Sequence, residues 1–319
     1  MSKESRERRA EYDFRGGVRG KYATHYREQG NVVVLDAPAA EDIAAWAPLI
    51  GFEWSGSERQ VAPDTWVRPC SAYRGFEHFA GVVAEEELGR CRDVGHWLHI
   101  VGSRNDDLSA SEKINSFLLT LWIVRPTATH VPFRFEETES GTKPFARHLG
   151  RFQWIKGEVR EDVRDIDLVR VSRLLPELRG AYAQRKRLCN ALVLTLHGCH
   201  AKSWQVALVC FAAAAEAILT YSREPRIAER LATSYAKLVS KSGPAARKAQ
   251  EQFKALYAVR SHIMHGRSSE LRDATRNLRT VAAFSSLLRR LWHAVLECPQ
   301  LRQRLDGDDN QRREVLRGL

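Results

Sequence analysis

In the second half of this 319-residue chain, apolar residues return at helical spacing, and the runs are punctuated by proline and glycine. Leu168–Leu196 alternates Leu, Val and Ala with Arg at that spacing. Trp204–Tyr221 is almost wholly apolar, with Glu216 its one charge. A helix apolar all round is either buried or laid against a partner helix. Pro225 precedes a third helix, Ile227–Val239. Pro244 opens the next, Ala245–His265, and Gly266 closes it. Ala274–Glu297 is the last strongly periodic segment, and the charged tail after Pro299 reads as frayed.

The first half has a different texture. Val32–Leu35, Phe52–Trp54, Trp66–Val67, Trp97–Val101 and Phe133–Phe135 are short aromatic or β-branched runs bounded by turn residues, and they read as strands. Ala40–Leu49 reads as a short helix. Ser109 followed by Glu112 fits a capped helix start, continued by Ile114–Val124. Residues 1–30 are polar and rich in Arg, Tyr and Gly, too poor in apolar residues to form a core alone. Residues 156–170 are charged and mark a boundary. The expected fold class is therefore α+β: a polar arm (1–30), a β-rich mixed domain (31–160), an all-α bundle (165–300) and a charged tail (301–319), with no internal repeat.

Charge narrows the partners. Fifty Lys+Arg against 39 Asp+Glu give a formal +11. That excess favours a polyanion, most often nucleic acid, although a generically basic soluble protein also carries it. The six cysteines lie far apart without a C-x-x-C, the N-terminus is charged with no apolar signal core, and no run approaches the roughly 18–20 apolar residues of a membrane span. A cytoplasmic protein with reduced thiols and no membrane partner is expected. His197, Cys199 and His200 have metal-ligating side chains but no partner cluster, so neither metal nor cofactor is expected. Glu85–Glu87 reads as a solvated face. The absence of a P-loop, G-x-G-x-x-G or H-E-x-x-H leaves nucleotide hydrolysis and zinc-protease chemistry without support. Trp46, Trp54, Trp66, Trp97, Trp122 and Trp154 could stack bases, but large rings more often build a core.

Chemistry concentrates in one stretch, Tyr257-Ala258-Val259-Arg260-Ser261-His262-Ile263-Met264-His265-Gly266. Arginine is always charged and suits a phosphate, and histidine exchanges protons near neutral pH. On an ideal helix Arg260 and His265 sit about 140° apart, flanking one edge, so long side chains can converge on a phosphate beyond it. His265 is in the last turn, where the helix dipole favours the imidazolium. Basic side chains at a helix C-terminus are also common caps. Glu216, costly to bury unpaired, is expected to meet Arg260 or His265, or else Arg230 in a structural ion pair. His262 reads as a second imidazole of the site or as a solvated residue.

The pattern Arg260-Ser261-x-x-x-His265-Gly266 resembles the R-x(4–6)-H signature of the HEPN family. The series Ala215-Glu216-Ala217-Ile218-Leu219, Ile227–Ala232 and Leu256–Gly266 resembles its Apea-like branch over residues 204–297. Members are mostly metal-independent endoribonucleases of bacterial toxin–antitoxin, anti-phage and CRISPR-linked systems. The resemblance implies a homodimer with its active site at the dimer seam and Arg260 and His265 as catalytic residues. Glu216, Tyr257, Ser261 and His262 would support them. It also implies RNA as substrate, attack by the RNA 2′-OH, and an antitoxin or trigger protein as a further partner. Tyr12–Tyr22, running on through Leu35, resembles the start of antitoxin-like proteins over a short span. A non-catalytic dimerisation or RNA-binding module, or a DNA-binding regulator, stands as the alternative.

Overall fold

The computed structural model describes residues 42–73, 75–79, 84–103, 106–138, 141–143, 161–221, 227–240, 243–265 and 274–318. The N-terminal arm, Val32–Leu35, Trp154 and Gly266 lie outside them. The fold is α+β. Six strands, β1 (Asp42–Pro48), β2 (Arg59–Ala62), β3 (Thr65–Pro69), β4 (His96–Ser103), β5 (Phe135–Thr138) and β6 (Gly141–Lys143), form one antiparallel sheet in the order β2-β3-β4-β1-β5-β6.

β1 is the segment that the alanines of Ala40–Leu49 mark as a helix. The structure makes it a strand, bonded to β4 on one side and β5 on the other. Two flanking ladders outweigh the helix preference of alanine, and the small Ala45 and Ala47 let a helix approach that face. Phe52–Trp54 is irregular rather than a strand, and Phe135 is where the Phe133–Phe135 run first joins the sheet.

Side chains alternate between the two faces of a strand. Ala45, Ala47, Val67, Leu98 and Ile100 enter one buried cluster, and Trp46, Trp97 and Phe135 enter a second on the other face with Tyr73, Phe76 and Leu88. The second cluster takes in helix α1 (Glu85–Arg92), whose exposed Glu85 and Glu86 pair with Arg92 and Arg90. Trp46, Trp97 and Trp122 are therefore core, while Trp54 and Trp66 are half-buried.

Against the first face lie α2 (Ala110–Val124) and α3 (Asp165–Ala183). The Ser109/Glu112 capping box opens α2 as its spacing predicts. Arg179 of α3 and Lys113 of α2 meet on Asp64 between β2 and β3, at 2.6 and 2.7 Å. The periodic stretch Leu168–Leu196 is two helices, α3 and α4 (Arg187–His200), parted where Arg185 takes φ 53°.

The remaining helices are α5 (Trp204–Leu219), α6 (Ile227–Val239), α7 (Pro244–Met264) and α8 (Ala274–Glu297). α4 and α5 approach so closely that a Cβ on Gly198 would stand 2.4 Å from the Phe211 ring. Trp122 of α2 stacks on Phe211 at 5.9 Å, so one apolar core runs from the sheet into the bundle. The tail is folded, not frayed. It forms α9 (Pro299–Leu305) and α10 (Asp309–Gly318), which bury Leu305, Val315, Leu316 and Arg312. Among the described residues no helix is long and apolar enough to cross a membrane.

Candidate active site

α6 and α7 run antiparallel. Gln250 donates to Thr233 at 2.9 Å, and Lys254 stands 3.9 Å from Glu229, so successive turns of the two helices face each other. Pro244 fixes the first turn of α7 after Gly243, whose φ of 77° lies in the left-handed region that glycine adopts without strain. Phe253 and Tyr257 stack at 6.1 Å on the buried side of α7 and bind it to Tyr235 of α6 and Phe284 of α8. This packing orients the last turns of α7.

Three of the expected site residues meet there. Tyr257 Oη donates to Glu216 Oε1 at 2.6 Å, and Arg260 Nη2 stands 3.2 Å from the same oxygen. The Arg260 guanidinium also lies 5.6 Å from the Tyr257 ring centroid. The carboxylate inside the apolar helix α5 is thus paired across the helix interface with Arg260, while Arg230 lies over the Tyr221 ring at 4.7 Å. Burial, and then the Glu216 carboxylate, pushes the Tyr257 hydroxyl well above its ordinary value, so it remains a protonated donor. Arg260 keeps about a quarter of its side chain in contact with solvent, at 28% exposure, and its Nε is buried without a hydrogen-bond partner. A further anion meets the guanidinium through its exposed part rather than through the buried Nε.

Ser261 and His262 are half-buried on the same turn. His265 is the exposed C-terminal cap of α7, with its N–H donating to the Ser261 carbonyl at 3.1 Å. The structure brings Glu216, Tyr257 and Arg260 into direct contact. Ser261, His262 and His265 lie beside them on the same two turns. Met264, 54% exposed, is an apolar residue standing in solvent next to His265.

α5 carries a second feature. Its inward residues Ala207, Leu208, Phe211, Ala212, Ala215 and Ile218 are buried, but Val206, Val209, Cys210, Ala213 and Ala217 form a partly exposed stripe, with Val206 52% exposed. Glu216 lies on that stripe. The far end of α5 is held by Arg312, whose guanidinium donates to the carbonyls of Ala217, Ile218 and Thr220 at 3.0, 2.9 and 2.6 Å and also to that of Leu305. Nothing in the local pattern of the charged tail marked Arg312. Only its position near the end of a basic segment set it apart, and that is no signal.

The other clusters behave differently. His197, Cys199 and His200 sit in the last turn of α4, Cys199 is buried, and no group of three metal-ligating side chains occurs among the described residues. Burial, and then His197, pulls the His200 imidazole down to about 4. Burial, and then Arg68, does the same to His99 in the sheet. Both values lie below the ordinary 6.5, so the unfolded chain binds more protons than the native one between those limits. Stability from these groups is present above about pH 6.5 and is lost as pH falls toward 4. Thermal unfolding is expected to show a lower midpoint at pH 5 than at pH 7.5, with a shallower dependence in His99→Phe. A flat or inverted pH dependence would contradict this.

The cavities of about 730, 690, 410 and 780 Å³ elsewhere in the structure have no Tyr257, Arg260 or His265 in their linings. Comparison of the chain with family models, curated proteins and solved structures returns no match.

Proposed function

We propose that the protein is a cytoplasmic, metal-independent endoribonuclease of the HEPN type, acting in bacterial defence or as the toxin of a toxin–antitoxin pair. The observation that carries this reading is the Glu216–Tyr257–Arg260 cluster on an exposed edge beside His265. Arg260 is held from behind by a carboxylate and a tyrosine yet retains donors, which suits a group that grips a phosphate. His265 stands in solvent at the negative end of α7, suited to proton transfer or to stabilising a developing anion. RNA supplies its own nucleophile. The 2′-OH loses its proton and attacks the adjacent phosphorus, the bond to the 5′-oxygen breaks, and that oxygen takes up a proton. The products are a 2′,3′-cyclic phosphate and a 5′-OH. Ser261 and His262 stand on the same turns of α7 as Arg260.

The exposed apolar stripe of α5, together with Met264, supports pairing of two copies beside this edge, so that two Arg/His sets share one cleft. Light scattering at micromolar concentration is expected to give a dimer mass. Val206→Glu, on the stripe, is expected to shift the mass toward monomer and to lower cleavage.

The second reading is a non-catalytic dimerisation or RNA-binding bundle. It is favoured by the ion pair that already occupies part of the Arg260 guanidinium. Incubation of the purified protein with total RNA in EDTA separates the two. Cleavage that persists in EDTA supports the ribonuclease, and RNA binding without cleavage supports the module.

A further inference from the structure

We infer that the sheet half of the protein holds a binding site for a small organic cation, an amidine, guanidinium or amine on an apolar body, in the cavity beneath the Leu49–Ser55 segment. The cavity has a volume of about 730 Å³, within the range of about 300–1,000 Å³ usual for small-molecule sites. Its floor includes the buried Leu49, Phe52, Val94 and Val163 and the half-buried Trp54.

One polar group lies among them. His96 lines the cavity at 7% exposure, with its Nε2 2.8 Å from the Gly56 carbonyl oxygen. A carbonyl can only accept, so Nε2 donates there, and in that tautomer Nδ1 is a bare acceptor. That Nδ1 is buried and has no hydrogen-bond partner. An acceptor buried in this way is costly, and an N–H donor from a ligand relieves the cost.

The rim reinforces the same preference. Glu53, Asp93 and Asp162 border the cavity and are exposed. The basic residue there is Arg90, which already bonds Glu86 at 2.5 Å. In a chain with a formal charge of +11 this is a local reversal of sign. The rings of Trp54 and His96 stand 5.0 Å apart, with Phe52 edge-on to both, and a delocalised cation is attracted to such faces. A phosphorylated ligand would be opposed by three carboxylates. A neutral ligand without N–H donors would leave Nδ1 unanswered. A cation bearing N–H donors on a flat or apolar body satisfies floor, imidazole and rim together.

The site can be tested without RNA, so its failure and that of the ribonuclease reading are distinguishable. Benzamidine is a planar cation rich in N–H donors, and benzamide is its neutral counterpart. Calorimetric titration of the full chain is expected to show saturable one-to-one binding of benzamidine, with benzamide at least about tenfold weaker. Gly95 is on the lip, exposed, and a Cβ there meets no atom within 4 Å. Gly95→Phe therefore enters open space and is expected to abolish binding at an unchanged melting temperature. Asp93→Asn, on the exposed rim, is expected to weaken benzamidine several-fold while leaving benzamide unchanged. Absence of saturable benzamidine binding at millimolar concentration, equal affinity for benzamide, or wild-type affinity in both variants would overturn the proposal.

Discussion

Arg260→Ala and His265→Ala are each expected to lower RNA cleavage by at least about 100-fold, the usual scale for removing one transition-state donor or one positioned acid–base group. The two losses are not expected to multiply in the double variant, because groups acting on one phosphate act as a unit. Stability should change little in either case. His265 is exposed, and Arg260 keeps solvent access. Removing Arg260 takes the ion pair from Glu216 while the Tyr257 hydrogen bond stays, so a loss of about 1 kcal/mol is expected there. Glu216→Gln keeps a partner for Tyr257 but frees Arg260 from its ion pair. It is expected to weaken cleavage through misplacement of the guanidinium rather than to abolish it. Initial rates on total RNA, read beside denaturation midpoints, check the whole set. Unchanged rates in both alanine variants would move the chemistry away from this turn.

Arg312→Ala is expected to destabilise the fold by about 3–5 kcal/mol, among the largest effects a single side chain can have. The side chain is 1% exposed, and burial pulls its guanidinium down to about 10. It satisfies carbonyls at the end of α5 that have no intrahelical partner. Arg312→Lys is expected to recover only part of the loss, because an ammonium cannot reproduce the fork. The same clamp lies one turn beyond Glu216, so cleavage should fall with stability. Urea denaturation of the purified variants measures the first effect. A cost below about 1 kcal/mol would mean that the carbonyls are satisfied in another way.

Much of the bundle was legible because long helices announce themselves. The proline start at Pro244 and the capping box at Ser109 are local signals, and local chemistry decides them. The need for a partner at Glu216 followed from elementary cost, a carboxylate in an apolar helix, but the sequence left Arg260, His265 and Arg230 open, and the structure sets Arg260 and Tyr257 against it. What was not legible is non-local. Asp42–Pro48 is a strand because β4 and β5 flank it, and its alanine-rich local sequence does not mark it as one. The charged tail folds because Arg312 reaches carbonyls nearly a hundred positions earlier in the chain. The cavity around His96 escaped for the same reason, since it draws on three separate segments. The second imidazole, His262, is half-buried beside Arg260, and its placement distinguishes neither of the two roles its sequence position allows.

The central claim is that RNA is cut by its own 2′-OH at the Arg260–His265 edge without a metal. Mapping the end groups of total-RNA fragments produced by the wild-type protein in EDTA tests it most directly. The account predicts 5′-OH ends paired with 2′,3′-cyclic phosphates, absent in Arg260→Ala and His265→Ala. Fragments carrying 5′-phosphates, or cleavage that stops when EDTA is added, would contradict it.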